Sequence, residues 1–231
     1  MGSEVAGQLD EVVAMFIGHF GVAIAAKRLA PRTSLGSLVF AAQFLDLLWP
    51  IFLLLGYEHV RVSPGITKVQ PLDFYDYPLS HSLSMALCWG AAVGLVYYLF
   101  RRYARGAWVL AALVVSHWVL DFVTHRPDIP LWPGGPKVGL GLWNSWAASV
   151  SAEVLLFGGA IWLYLRSTRA RDRVGGWALW GWFVFLAVAW VAALLAPPPP
   201  DVHQLALGSL SLWLMIPWAG WADAHRGPIG P

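Results

Sequence analysis

The chain of 231 residues is 58% hydrophobic and only 12% charged, with a mean hydropathy of +0.60, whereas ordinary soluble domains carry roughly 25% charged residues. A net charge of +2 with no basic block argues against a nucleic-acid surface. The single cysteine, Cys88, excludes an intrachain disulfide and a cysteine-type metal site. What remains is an integral membrane protein, and fifteen Trp and seven Tyr suit its two membrane–water interfaces.

Apolar runs near the roughly 17–25 residues that cross a bilayer fall at about 12–30, 34–56, 79–100, 106–124, 146–165, 177–196 and 203–221. They predict an all-α, polytopic transmembrane bundle of about seven spans. It forms one integral membrane domain, 1–231, with a five-helix core at 12–165 and two additional helices at 177–221. The stretch Met1 to Glu11 has no basic residue and does not read as a cleavable signal peptide. Pro197 to Pro200 ends the sixth run, and Pro217 interrupts the seventh.

Orientation follows from the basic residues. The connections after the first, third and fifth runs hold Lys27, Arg28, Arg32, Arg101, Arg102, Arg105, Arg166, Arg169, Arg171 and Arg173, and the tail adds Arg226. The opposite side has only Arg61, Lys68, Arg126 and Lys137, among acids that include Glu58, Asp73, Asp76, Asp128 and Asp201. The positive-inside rule then predicts the N-terminus outside and the C-terminus inside, in a plasma (inner) membrane. Two outer connections, Tyr57 to Leu79 and Arg126 to Trp143, are long and rich in proline, which predicts a cap over the bundle.

Ionisable residues inside apolar runs are costly in hydrocarbon unless paired, hydrated or metal-bound. Here they are His19, Asp46, His81, His117, Asp121 and Glu153. At about 1.5 Å of rise per residue, all six fall in the outer half of their spans. His117, Asp121 and His125 follow one another at i, i+4 and i+8, on nearly one helix face. Three imidazoles with two or three carboxylates suit Zn²⁺, with Mn²⁺ or Fe²⁺ as alternatives, as one ion or a close pair. Ser80, Ser82 and Thr124 are placed to support the ligands. Glu153 is a candidate ligand or general base, and His125, expected at a wet rim, a candidate acid–base group. Taken singly, each has a plainer reading: His19 as a packing residue, Asp46 as a partner for Gln43 or a histidine. His59 and His203 are expected in solvent.

His19 in the first apolar run, Asp46 in the second, Ser80-His81-Ser82 opening the third and His117-x-x-x-Asp121 in the fourth carry a resemblance. Over about residues 15–160 the chain resembles the LexA-regulated, membrane-bound metal-dependent hydrolase family of the YdjM type. That family is itself distantly similar to zinc-dependent phospholipase C. The resemblance implies that His19, Asp46, His81, His117 and Asp121 are metal ligands. The stretches Phe44-Leu45-Asp46-Leu47-Leu48 and Tyr77-Pro78-Leu79-Ser80-His81-Ser82 lack the family's second acid and its His-Arg pair.

The expected function is therefore a membrane-embedded metal-dependent hydrolase. It would act on an ester or phosphoester of a lipid or small amphiphile from the extracytoplasmic side, with Glu153 or His125 moving protons. The alternatives are a metal-ion or proton transporter or channel, a haem protein using facing histidines such as His81 and His117, and a scaffold whose polar groups only fix helix packing.

Overall fold

The computed structural model describes residues 17–229, so the acids of the N-terminal stretch and the first part of the first expected span lie outside the described residues. The fold is mostly helical. In chain order it comprises α1 (Ile17–Ala26), α2 (Leu35–Ala42), α3 (Phe44–Leu54), β1 (His59–Val62), β2 (Leu72–Asp76), α4 (Pro78–His81), α5 (Leu83–Arg101) and α6 (Ala104–Thr124). There follow β3 (Ile129–Pro130), β4 (Lys137–Val138), α7 (Trp146–Ser167), β5 (Thr168–Ala170), α8 (Arg173–Leu195), α9 (Val202–Ser209), α10 (Leu212–Ala224) and β6 (Arg226–Pro228).

Among the described residues, five helices are long and apolar enough to cross a membrane: α5, α6, α7, α8, and α9 with α10 taken together. The second expected span is broken. α2 and α3 meet at Gln43 with a 53° bend and would form a sixth span only if counted as one. The third also divides, because Ser82 adopts an extended conformation (ψ 146°) and caps α5 with its hydroxyl. His81 is thereby left on a separate single turn.

Close helix contact rests on small residues. On α5 Gly90 and Gly94 face α6, and a Cβ at Gly94 would stand 2.9 Å from the Ala107 carbonyl oxygen. This is the small-x-x-x-small device that lets apolar helices approach without a hydrophobic driving force between them. α1 packs on α7, α10 on α2 and α8, and α9 on α3. The last two helices are therefore built into the same bundle as the first five.

The two long connections, Tyr57 to Leu79 and Arg126 to Trp143, fold over one end. β1 pairs antiparallel with β2, β3 with β4, and a 3₁₀ turn at Leu142–Asn144 leads into α7. Leu72, Phe74 and Trp143 from this cap are buried against the helices. At the opposite end β5 pairs with β6 and ties the start of α8 to the chain after α10.

Candidate metal centre

Four elements deliver one cluster. His117 and Asp121 lie one turn apart on α6, His19 sits on α1, Asp46 occupies the first turn of α3 and His81 ends α4. His19 Nε2 lies 3.2 Å from Asp121 Oδ1. His117 Nε2 lies 3.2 Å from Asp121 Oδ2 and 3.6 Å from Asp46 Oδ1. His81 Nε2 is 3.4 Å from Asp46 Oδ1 and 3.7 Å from Asp121 Oδ2. The donors form two sets, His19–His117–Asp121 and Asp46–His81–His117, joined at His117. The His19 and His117 rings stack with centroids 3.8 Å apart.

Local backbone and loop groups fix which ring nitrogens face inward. The break after α2 lets the Ala42 carbonyl accept His117 Nδ1–H at 2.7 Å, so that Nε2 is the nitrogen turned to the cluster and carries the lone pair whenever the ring is neutral. His81 is held through a relay. Glu58, buried in the connection after α3, accepts the backbone N–H groups of Leu79 and Ser80, each at 2.7 Å, and the Ser80 hydroxyl at 2.6 Å. Since that hydroxyl donates to Glu58, its oxygen accepts His81 Nδ1–H at 2.7 Å. His81 Nε2 then also points a lone pair at the carboxylates.

Among the described residues, three buried atoms of the cluster lack a hydrogen bond. His117 Nε2 and Asp121 Oδ2, although 3.2 Å apart, have no hydrogen-bond partner, and neither has His19 Nδ1. A buried polar atom in that condition costs about 1–3 kcal/mol. Ligands about 2.0–2.1 Å from a tetrahedral ion stand about 3.3 Å apart, which is near the spacing here. Two carboxylates, Asp121 buried and Asp46 at the cavity side, facing three imidazole rings also supply the charge and the donors that suit a dication. The residues present therefore fit a divalent metal.

The remaining candidates divide. Of the three hydroxyls expected to support ligands, only Ser80 does so. Ser82 Oγ donates to the Pro78 carbonyl, and Thr124 Oγ1 donates back to the Leu120 and Asp121 carbonyls. Glu153 on α7 is not among the converging donors; its Oε2 accepts Gly18 N–H at 2.8 Å, one residue before His19. It also lines a separate small cavity with Thr124, Trp143 and Ser149. The carboxylate thus steadies the chain that carries His19.

His125 is not at a wet rim. The cap folds over it, so that it is 4% exposed, with the Trp143 and Phe74 rings 4.0 and 4.8 Å away. Its Nδ1 lies 2.9 Å from Asp128 Oδ1, and the Tyr77 hydroxyl donates to the same oxygen at 3.3 Å. Arg126 in turn bonds both Asp128 and Asp73. Burial, with the adjacent Asp128 carboxylate, holds the Tyr77 hydroxyl well above the usual phenol range, so it remains a donor. His59, as expected, is exposed, 3.0 Å from Asp76.

The cluster opens onto a cavity of about 480 Å³. His19, Asp46, His81, Asp121 and His125 line its polar side, and the Asp46 side chain, 29% exposed, stands at the opening. Its apolar walls come from Trp49, Leu72, Phe74 and Trp143, and from Leu205 and Leu212 of α9 and α10.

At the opposite end of the bundle lies a second buried polar group. Lys27 Nζ is 2.6 Å from Asp223 Oδ2, both buried, and Tyr164 donates to Asp223 Oδ1 at 2.7 Å. The seventh expected span ended before Asp223, whereas α10 continues through it.

No family model matches this chain, and comparisons with curated proteins and with solved structures find no match. Fold and site together define a membrane-compatible helical bundle with a buried histidine–aspartate cluster beneath a cap.

Proposed function

We propose that this chain is a membrane-embedded, metal-dependent hydrolase acting on an ester or phosphoester of a lipid or small amphiphile. The observation that carries the proposal is a pair of buried atoms without a hydrogen-bond partner, His117 Nε2 and Asp121 Oδ2, within a His/Asp cluster that forms the polar side of a largely apolar cavity. The same residues carry the resemblance to the YdjM-type hydrolases.

His19, Asp46, His81, His117 and Asp121 would hold the cation. Nitrogen and oxygen donors without thiolate favour Zn²⁺, with Mn²⁺ or Fe²⁺ as alternatives. His117 belongs to both donor sets, but with Nδ1 bonded to Ala42 its ring offers one lone pair. It can serve one ion only, which supports a single cation over two filled sets. A bound dication supplies a nucleophile from water near neutral pH and polarises the substrate oxygen.

The chain's own groups do the rest. Asp128 orients His125 through Nδ1, which leaves Nε2 as the nitrogen that can accept or return a proton. Tyr77 holds Asp128 from the other side. Trp49, Phe74, Leu205 and Leu212 receive the alkyl part of an amphiphile and exclude water from the reacting end.

In this reading the chain crosses a plasma membrane about seven times, N-terminus outside, with the capped end extracytoplasmic. Support comes from the arginine-rich connections gathering at the end opposite the cap. Transport has less support, because fully buried Phe20, Ala23 and Ile24 separate His19 from Lys27 along α1.

The test is hydrolysis by the purified chain of a panel of chromogenic esters, phosphodiesters and phospholipid vesicles. Turnover should disappear with chelator, return with added Zn²⁺, and be absent in Asp121→Asn. A metal-loaded protein inert toward every class would overturn the proposal.

A further inference from the structure

We infer that the end of the bundle opposite the cap holds a binding site for an anionic phospholipid of the adjoining leaflet, independent of the metal cluster. A pocket of about 480 Å³ there is lined by Lys27, Arg32, Arg101, Arg171 and Arg226 and by one acid, Asp223. That acid is already saturated: Oδ2 accepts Lys27 Nζ and Leu35 N–H, and Oδ1 accepts the Tyr164 hydroxyl.

The arginines have no such partner. Arg226 is 8% exposed, yet its guanidinium donates only to neutral oxygens, those of Thr168 Oγ1, Thr168 O and Gly175 O. Among the described residues, Arg32, Arg101, Arg171 and Arg226 form no ion pair with a carboxylate. Like charges collected around one cavity repel one another, and an anion seated among them relieves the repulsion. Guanidinium groups suit phosphate geometry in particular.

An apolar groove of about 670 Å³ adjoins this pocket and shares Ser34, Ser37, Tyr97 and Arg101 with it. Phe40, Phe44, Trp89, Val93, Val96 and Ile216, from α2, α3, α5 and α10, line the groove. Cationic pocket and apolar groove therefore run into one another at Tyr97 and Arg101. One occupant meets both chemistries: a phospholipid with its phosphate among the arginines and an acyl chain along the groove. A free phosphate would leave the groove unused, and a zwitterionic lipid would not answer the charge.

Native mass spectrometry of the full-length chain in detergent, with phosphatidylglycerol and phosphatidylcholine of identical acyl chains in competition, tests this. Phosphatidylglycerol is expected to bind at least tenfold tighter. Arg101→Gln and Arg171→Gln should each weaken it about fivefold, the equivalent of about 1 kcal/mol per basic residue. Both arginines are exposed, and their side chains make no hydrogen bond or ion pair among the described residues, so neither change threatens the fold. Arg105→Gln, outside the pocket, should change nothing. Equal binding of the two lipids would overturn the inference, as would full displacement by millimolar inorganic phosphate or an equal loss in Arg105→Gln. The comparison on the unaltered chain decides without any variant, and hydrolase activity does not enter it.

Discussion

Ser80→Ala isolates the support of the cluster from the cluster itself. The serine hydroxyl donates to Glu58 at 2.6 Å and accepts His81 Nδ1–H at 2.7 Å, so a single oxygen joins a buried carboxylate to a candidate ligand. Its removal leaves α4 capped by Glu58 through the Leu79 and Ser80 N–H groups, and the single turn survives. Among the described residues, Glu58 loses one of three donors and His81 Nδ1 loses its only hydrogen-bond partner. Leaving such buried groups unsatisfied costs about 1–3 kcal/mol. The ring is then free to change tautomer or rotate, and loss of a group that orients a ligand costs about 10–100-fold in metal affinity. Competition against a chromogenic chelator measures that affinity, and a thermal melt in the same detergent measures the stability. Ser80→Ala with wild-type zinc affinity would refute the relay, whatever its effect on the melt.

Two further outcomes separate roles that residue identity leaves mixed. Glu153→Gln keeps an oxygen for the Gly18 N–H and should retain metal and turnover; a loss of the 10²–10⁴-fold typical of a missing general base would return Glu153 to the chemistry. Tyr77 carries a pH signature. Its folded hydroxyl is held above the unfolded value of about 10, so the unfolded chain releases that proton first as pH rises. The associated stability is full below pH 10 and falls above it. Melts between pH 8 and 11 should show a shallower alkaline decline in Tyr77→Phe, and an unchanged slope would contradict the assignment.

Much of the site was legible because ionisable groups inside apolar runs are expensive, so His19, Asp46, His81, His117 and Asp121 stood out against their surroundings. Helical periodicity put His117 and Asp121 on one face, and the structure places them 3.2 Å apart at Nε2 and Oδ2. Of the supporting groups, only Ser80 was legible. Glu58 looks like any loop acid until a fold brings residues 22 positions away onto it. The bend at Gln43 carries no glycine or proline at the break, so the span reads as continuous. Yet it is the Ala42 carbonyl at that joint that orients His117. His125 was read as wet from its place at a helix end, because nothing local reveals that Phe74 and Trp143 fold over it. Glu153 shares the apolar surroundings of the candidate ligands, and composition cannot tell a carboxylate aimed at the cluster from one aimed at a backbone N–H of a neighbouring helix.

The most direct test of the central claim is the metal content of the purified chain, measured by plasma mass spectrometry beside His117→Ala. One equivalent of zinc, or of manganese or iron, in the wild type and almost none in His117→Ala is the predicted result. A folded wild-type chain that holds no stoichiometric transition metal, even after incubation with all three, would contradict the account.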